Sequence, residues 1–136
     1  GAAFTYNGLI ITGDFKYLDY SQLEYRSGID NVSRANLTAM HYYKETFNLH
    51  AGAEYAIPRT SLKLRAGYYR EPIPFQGYFI EKDPQYYTLG LGYVVDKNLN
   101  FDFAFVKGAW KRDDFSILSK EEYSPLRFMM TLSYRL

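Results

Sequence analysis

The feature that most constrains this chain is an alternation of period two. Apolar residues recur at every second position over stretches of about ten residues, and this happens six times. The first stretch is Leu9 to Tyr20, with Leu9, Ile11, Phe15 and Tyr17 against Thr12, Asp14 and Lys16. Glu45 to Ile57 follows: Phe47, Leu49, Ala51, Ala53, Tyr55 and Ile57 share one parity, and Thr46, Asn48, His50 and Glu54 the other. The others are Ser61 to Arg70, Tyr86 to Val95, Leu99 to about Trp110, and Leu126 to Leu136. Pleating sends successive side chains to opposite faces, so each stretch predicts a strand with one apolar and one polar face. Strands of soluble proteins average roughly 5–6 residues, whereas a tilted strand needs roughly 9–11 to cross a bilayer.

The predicted links alternate in length. Asn7-Gly8 reads as a type I′ hairpin turn, and Pro58-Arg59-Thr60 and Asp96-Lys97-Asn98 are also short. Between them lie long links, 21–44, 71–85 and 111–125. Short turns at one end and long loops at the other are the pattern of outer-membrane barrels, whose short turns are periplasmic. The first strand is then expected to run outward and the last to return, leaving Leu136 in the periplasm. Tyr55, Tyr93 and Tyr134 are expected in the inner aromatic girdle; Tyr17, Tyr68, Tyr87 and Phe105 are expected in the outer one.

Alternation alone fits a soluble lipid-carrying barrel or sandwich equally well. Three features favour the membrane: the strand lengths, a polar face rich in Gly, Thr, Ser, Asn and charges of both signs, and an end inside a strong strand. Composition agrees. Aromatic residues are 19% of the chain, yet mean hydropathy is −0.35, which fits alternating surfaces and not a solid apolar core. A formal net charge of +1 lacks the basic excess of a nucleic-acid binder. There is no cysteine, hence no disulfide, thiolate site or cysteine nucleophile. No stretch approaches the roughly 18–20 apolar residues of a membrane helix. Gly1-Ala2-Ala3-Phe4 is not a signal peptide.

Ala3-Phe4-Thr5-Tyr6, ahead of the first turn, reads as the end of an earlier strand. The expectation is an all-β chain, residues 1–136 as one unit: about six C-terminal strands plus a stub of a larger antiparallel transmembrane barrel. Single-chain bacterial barrels have eight strands or more, and an open edge in lipid leaves backbone groups unpaired. Upstream strands or other chains are therefore expected to close the wall.

Several segments carry a family resemblance. They are the run from Leu9 to Ser21, Leu49-His50-Ala51-Gly52-Ala53-Glu54-Tyr55, Leu62-Lys63-Leu64-Arg65-Ala66-Gly67-Tyr68, Thr88-Leu89-Gly90-Leu91-Gly92-Tyr93 and Leu99-Asn100-Phe101-Asp102-Phe103-Ala104-Phe105. From Leu9 onward the chain resembles the C-terminal part of the FadL/TodX (OmpP1) outer-membrane transporters of long-chain fatty acids and other hydrophobic compounds. The resemblance implies a barrel of about fourteen strands, with an N-terminal plug and a laterally opening kinked strand, both upstream of Gly1. It implies fatty acids or aromatic hydrocarbons as cargo, outer-membrane lipid as surroundings, no cofactor and no enzymatic activity. The last strand is similar to the assembly signal of such barrels, except that Leu136 stands where Phe or Trp is usual. The barrel subunit of the Bacteroidetes type IX secretion shuttle has similar strands, and there the implied cargo is protein.

No metal cluster, catalytic Ser/His/Asp set or phosphate loop is legible, and Gly90-x-Gly92 lacks the third glycine of a nucleotide fingerprint. His50 and Glu54 share a polar face, but four residues in a strand span roughly 13 Å, so they make no dyad. Lys63 and Arg65 lie on the next strand with the same orientation. These four are the candidates for guiding a ligand through the lumen. The two cations have two readings: attraction of a carboxylate headgroup, or cross-strand pairing with Glu54, Asp14 or Asp102. Phe75, Tyr78 and Phe79 are apolar candidates in a long loop, either for capturing ligand or for packing on neighbouring loops. Trp110 is expected near the outer rim. Asn31-Val32-Ser33 and Asn36-Leu37-Thr38 read as chance glycosylation motifs.

Overall fold

The computed structural model describes residues 1–24, 26, 31–75, 79–114 and 119–135. The expected alternation becomes one antiparallel sheet of eight strands. In chain order these are β1 (Ala2–Tyr6), β2 (Leu9–Asp19), β3 (Glu45–Ala56), β4 (Leu62–Arg70), β5 (Phe79–Val94), β6 (Leu99–Asp114), β7 (Ser119–Tyr123) and β8 (Leu126–Tyr134). Each strand from β1 to β7 pairs with the next, and β8 pairs with β6 beside β7. Both β7 and β8 keep one register on β6: Trp110 faces Tyr123 and Lys107 faces Leu126. They therefore act as one return strand, interrupted at Ser124-Pro125. The ends β1 and β7–β8 do not pair with each other, so the sheet is an unclosed part of a barrel wall.

The turns follow from local chemistry. Asn7 and Gly8 both take positive φ, 45° and 81°, as a type I′ turn requires. In the second turn Arg59 takes a φ of 61°, and the Thr60 hydroxyl donates to the Ile57 carbonyl at 2.9 Å. In the third, an Asp96 carboxylate oxygen accepts from the N–H groups of Asn98 (2.7 Å) and Leu99 (2.9 Å). All three turns lie at one end of the sheet.

The opposite end carries more structure than the alternation predicts. The link 21–44, read as a loop, contains a 3-10 turn (Tyr20–Gln22) and a helix α1 (Val32–Tyr42). Asn31 caps the helix, its side chain accepting from the Arg34 N–H, and so works as a cap in the first glycosylation-like motif. Strands β5 and β6, each 16 residues, run beyond the predicted bounds into the long-loop end. β7 lies inside the predicted link 111–125. The helix is hidden in the sequence because its buried side carries only small residues such as Ala39 while its larger apolar residues, Leu37, Met40 and Tyr42, are exposed, and Ser119-Lys120-Glu121-Glu122-Tyr123 has no apolar alternation.

The two faces of the sheet differ in kind. The apolar face is the exposed one: Phe15 is 73% accessible, Leu89 62%, Phe128 68% and Tyr134 66%. Among the described residues only Ala39 and Val106 are buried hydrophobics, so the sheet has no apolar core of its own. A groove of about 800 Å³ lies on the polar face. A polar concave side with an apolar outside is the inverse of a soluble barrel and is the arrangement of a membrane wall. No helix among the described residues is long and apolar enough to span a bilayer.

Aromatic pairs mark the long-loop edge of the apolar band. Tyr17 and Phe47 are 4.8 Å apart between centroids, and Tyr68 and Tyr87 are 5.2 Å apart. Phe105 pairs with Leu89 and Phe128, one step along the ladder from Tyr87. From Phe47 to Tyr55 along β3 is about 27 Å at roughly 3.4 Å per residue, enough with tilt to cover most of the ~25 Å apolar band of a barrel.

Candidate functional site

The polar face is organised in rows that run across strands. One row is charged. Antiparallel register sets Glu54 of β3 opposite Arg65 of β4, and Arg65 opposite Gly90 of β5. Arg65 Nε donates to Glu54 Oε2 at 2.6 Å, and its Nη1 donates to Asp102 Oδ1 on β6. To reach Asp102 the guanidinium must cross β5. It does so over Gly90 and Gly92: a Cβ on Gly90 would lie 3.2 Å from the Arg65 Cβ, and one on Gly92 would lie 3.0 Å from Asp102 Oδ1 and 3.4 Å from both terminal guanidinium nitrogens. The Gly-x-Gly of β5 is thus a trough for an arginine. Lys63 Nζ stands 3.9 Å from Glu54 Oε1, at the edge of the same cluster. Of the pairings open to the two cations, those with Glu54 and Asp102 are the ones formed.

A second row is aromatic and lies toward the long-loop end. His50, Tyr69 and Tyr86 stand side by side on β3, β4 and β5. The His50 and Tyr69 centroids are 5.8 Å apart and tilted; Tyr69 and Tyr86 stack at 4.5 Å with planes 14° apart. The row ends at Gly108, whose N–H donates to the Pro125 carbonyl at 2.8 Å. A Cβ on Gly108 would meet Tyr86 Cε1 at 2.9 Å and Pro125 Cγ at 2.6 Å, so this glycine leaves the space that the tyrosine and proline rings fill.

Between the two rows the surface is nearly bare backbone. Gly52 faces Gly67, flanked by Thr12 and Thr88. A Cβ on Gly67 would lie 2.6 Å from the Thr88 hydroxyl oxygen. The 800 Å³ groove lies over this glycine floor, with His50 and Tyr69 on one side and Glu54 and Arg65 on the other.

Within this site His50 and Glu54 stand on opposite sides, and Phe75 and Trp110 lie apart from it. His50 and Glu54 face different partners, Tyr69 and Arg65, and form no dyad. Phe75 forms an isolated bridge with Tyr43, its ring 4.9 Å from the tyrosine ring, so it packs within the loops. Tyr78 and the side chain of Phe79 lie outside the described residues, as does Leu136. Trp110 packs on Tyr123 at 5.8 Å on the long-loop side of Gly108. Tyr69, Tyr86 and Pro125 were not marked by sequence reasoning. The signal that could have found them is register: once Glu54 is set opposite Arg65, the aromatic row follows by counting residues.

Long strands, an apolar exterior, a polar groove and alternating loop lengths define an integral outer-membrane barrel protein. A family model described as outer membrane protein transport protein (OMPP1/FadL/TodX) matches residues 7–133, and the chain belongs to this family of outer-membrane transport proteins. No curated protein and no solved structure gives a match.

Proposed function

We propose that this chain forms part of the wall of a passive outer-membrane channel for hydrophobic compounds, long-chain fatty acids among them, and performs no covalent chemistry. Membership of the transport family over residues 7–133 carries the reading. The groove on the polar face supports it, because it gives a cargo a path separate from the lipid-facing surface. His50, Glu54, Lys63 and Arg65 line the wall past which the cargo moves. The long-loop end faces outward and the short turns and Leu136 face the periplasm, as loop length in such barrels indicates.

The test is uptake. Bacterial cells lacking the protein should take up labelled long-chain fatty acid and hexadecane slowly, and the restored protein should speed entry without added energy source. Equal uptake of both compounds with and without the protein would sink the reading.

A further inference from the structure

We infer that the lipid-facing rim of β5 and β6, at and beyond the outer aromatic girdle, binds the phosphorylated headgroup of an outer-leaflet lipid. The inference takes from the channel reading only which end of the sheet faces outward.

The rim begins where the apolar band ends. Leu89, Phe105 and Phe128 form one exposed row of that band. The next row outward is Tyr68, Tyr87, Lys107 and Leu126, paired in that order across β4, β5, β6 and β8. A lysine thus stands in the girdle itself, on the face that meets lipid, roughly 7 Å beyond Phe105. The corresponding row at the other end, Leu62, Tyr93, Phe101 and Leu132, holds no charge. Lys107 can lay its methylenes along Tyr87 and Leu126 and carry its ammonium outward to headgroup level. Farther out on the same face stand Arg70 on β4, and Lys82 opposite Lys111 on β5 and β6.

Part of this rim is already neutral. Arg70 Nη2 donates to Asp83 Oδ2, Lys111 Nζ lies 3.5 Å from Glu122 Oε2, and Asp113 is opposite Lys120 in the ladder. Lys107 and Lys82 have no carboxylate within ion-pair distance among the described residues. A cation in the girdle is costly until an anion or water meets it, and the anions at that depth are lipid phosphates. The acidic part of the rim is confined to β2 and β3. There Asp19 accepts from Ser21 and Gln22, and Glu45 accepts from the Tyr17 hydroxyl at 2.7 Å. The apolar row beneath Lys107 gives acyl chains a surface directly under the cation. The occupant is therefore a whole lipid, its chains on Leu89, Phe105 and Phe128 and its phosphate on Lys107, with Lys82 above.

The experiment uses the complete barrel, stripped of lipid in detergent and titrated under native mass spectrometry. The probes are diphosphoryl lipid A and the same glycolipid without phosphates. The phosphorylated form should bind at least tenfold tighter. One basic side chain at an anionic surface is worth roughly fivefold, so Lys107→Gln/Lys82→Gln should weaken it by about tenfold or more. Lys107→Arg should keep the affinity, and Lys97→Gln, in a turn at the other end, should leave it unchanged. Equal binding of the two probes would overturn the inference. So would undiminished binding by the double variant, or displacement of the lipid by millimolar inorganic phosphate, which would make the site one for a free anion. Orientation is read separately, by protease cutting between β6 and β7 on intact cells. Cutting only after the outer membrane is breached would sink the outward reading, whereas the lipid titration decides the rim by itself.

Discussion

Arg65 is the residue on which most of the polar face depends. It lies about one-third exposed between carboxylates that are also partly exposed, so solvent weakens each pair without removing it. Its route over β5 makes Gly92 as important as the charges. Gly92→Val should lift the guanidinium off Asp102 and cost about 1–3 kcal/mol, the scale of a lost charge-assisted hydrogen bond, read from urea unfolding in lipid vesicles. Arg65→Met should cost a similar amount by leaving Glu54 and Asp102 unneutralised. Adding Glu54→Gln and Asp102→Asn to it should recover most of that loss. A second residue gives a pH prediction outside the apolar band. Asp19, at the long-loop end of β2, accepts hydrogen bonds from the Ser21 hydroxyl, the Gln22 amide and the Ser21 N–H, which hold its carboxyl below the usual carboxylate range. Because the folded value is the lower one, its stabilisation of the 3-10 turn is complete above the ordinary aspartate pKa. It is lost as pH falls through the lowered value. The Ser21 amide resonance should move only in that acid window, and Asp19→Asn should abolish the shift.

At the level of elements, the strands were legible because pleating ties burial to sequence parity. Glu45–Ala56 and Leu62–Arg70 fall within a residue of the predicted bounds for that reason. The type I′ turn was legible because Asn-Gly suits two consecutive positive φ values. The helix α1 was not legible because it buries the small Ala39 and exposes Leu37, Met40 and Tyr42, and β7 was not legible because register on β6 holds it and no apolar alternation marks it. The aromatic row was hidden for a related reason: its members are far apart in sequence and meet only across three strands. Parity also yields a test of the faces. Met130 and Thr131 lie on the same strand with opposite parity, midway between the girdle positions Phe128 and Tyr134. Met130→Arg should destabilise the barrel by about 2–4 kcal/mol, the cost of a cation on the lipid face near the bilayer midplane. Thr131→Arg faces Asp102 across the ladder and should cost much less. Urea unfolding of both variants in vesicles measures the difference, and equal costs would contradict the assignment of faces.

For the whole molecule, orientation is the property that loop length implies and that cells can report. A protease site inserted between β6 and β7 should be cut on intact cells, whereas one placed in the Asp96-Lys97-Asn98 turn should be cut only after the outer membrane is breached. Cooperativity is a second property of the whole. The Arg65 side chain, rooted on β4, joins its neighbour β3 to β6 across the one intervening strand, β5. Its charge meets only one of its two counter-charges within β3–β4, and the second, Asp102, lies in the next hairpin. Glu54, Arg65 and Asp102 are all matched only when β3 to β6 stand together, so the hairpins β3–β4 and β5–β6 should lose their amide-exchange protection as one cooperative unit, and Arg65→Met should let them open separately.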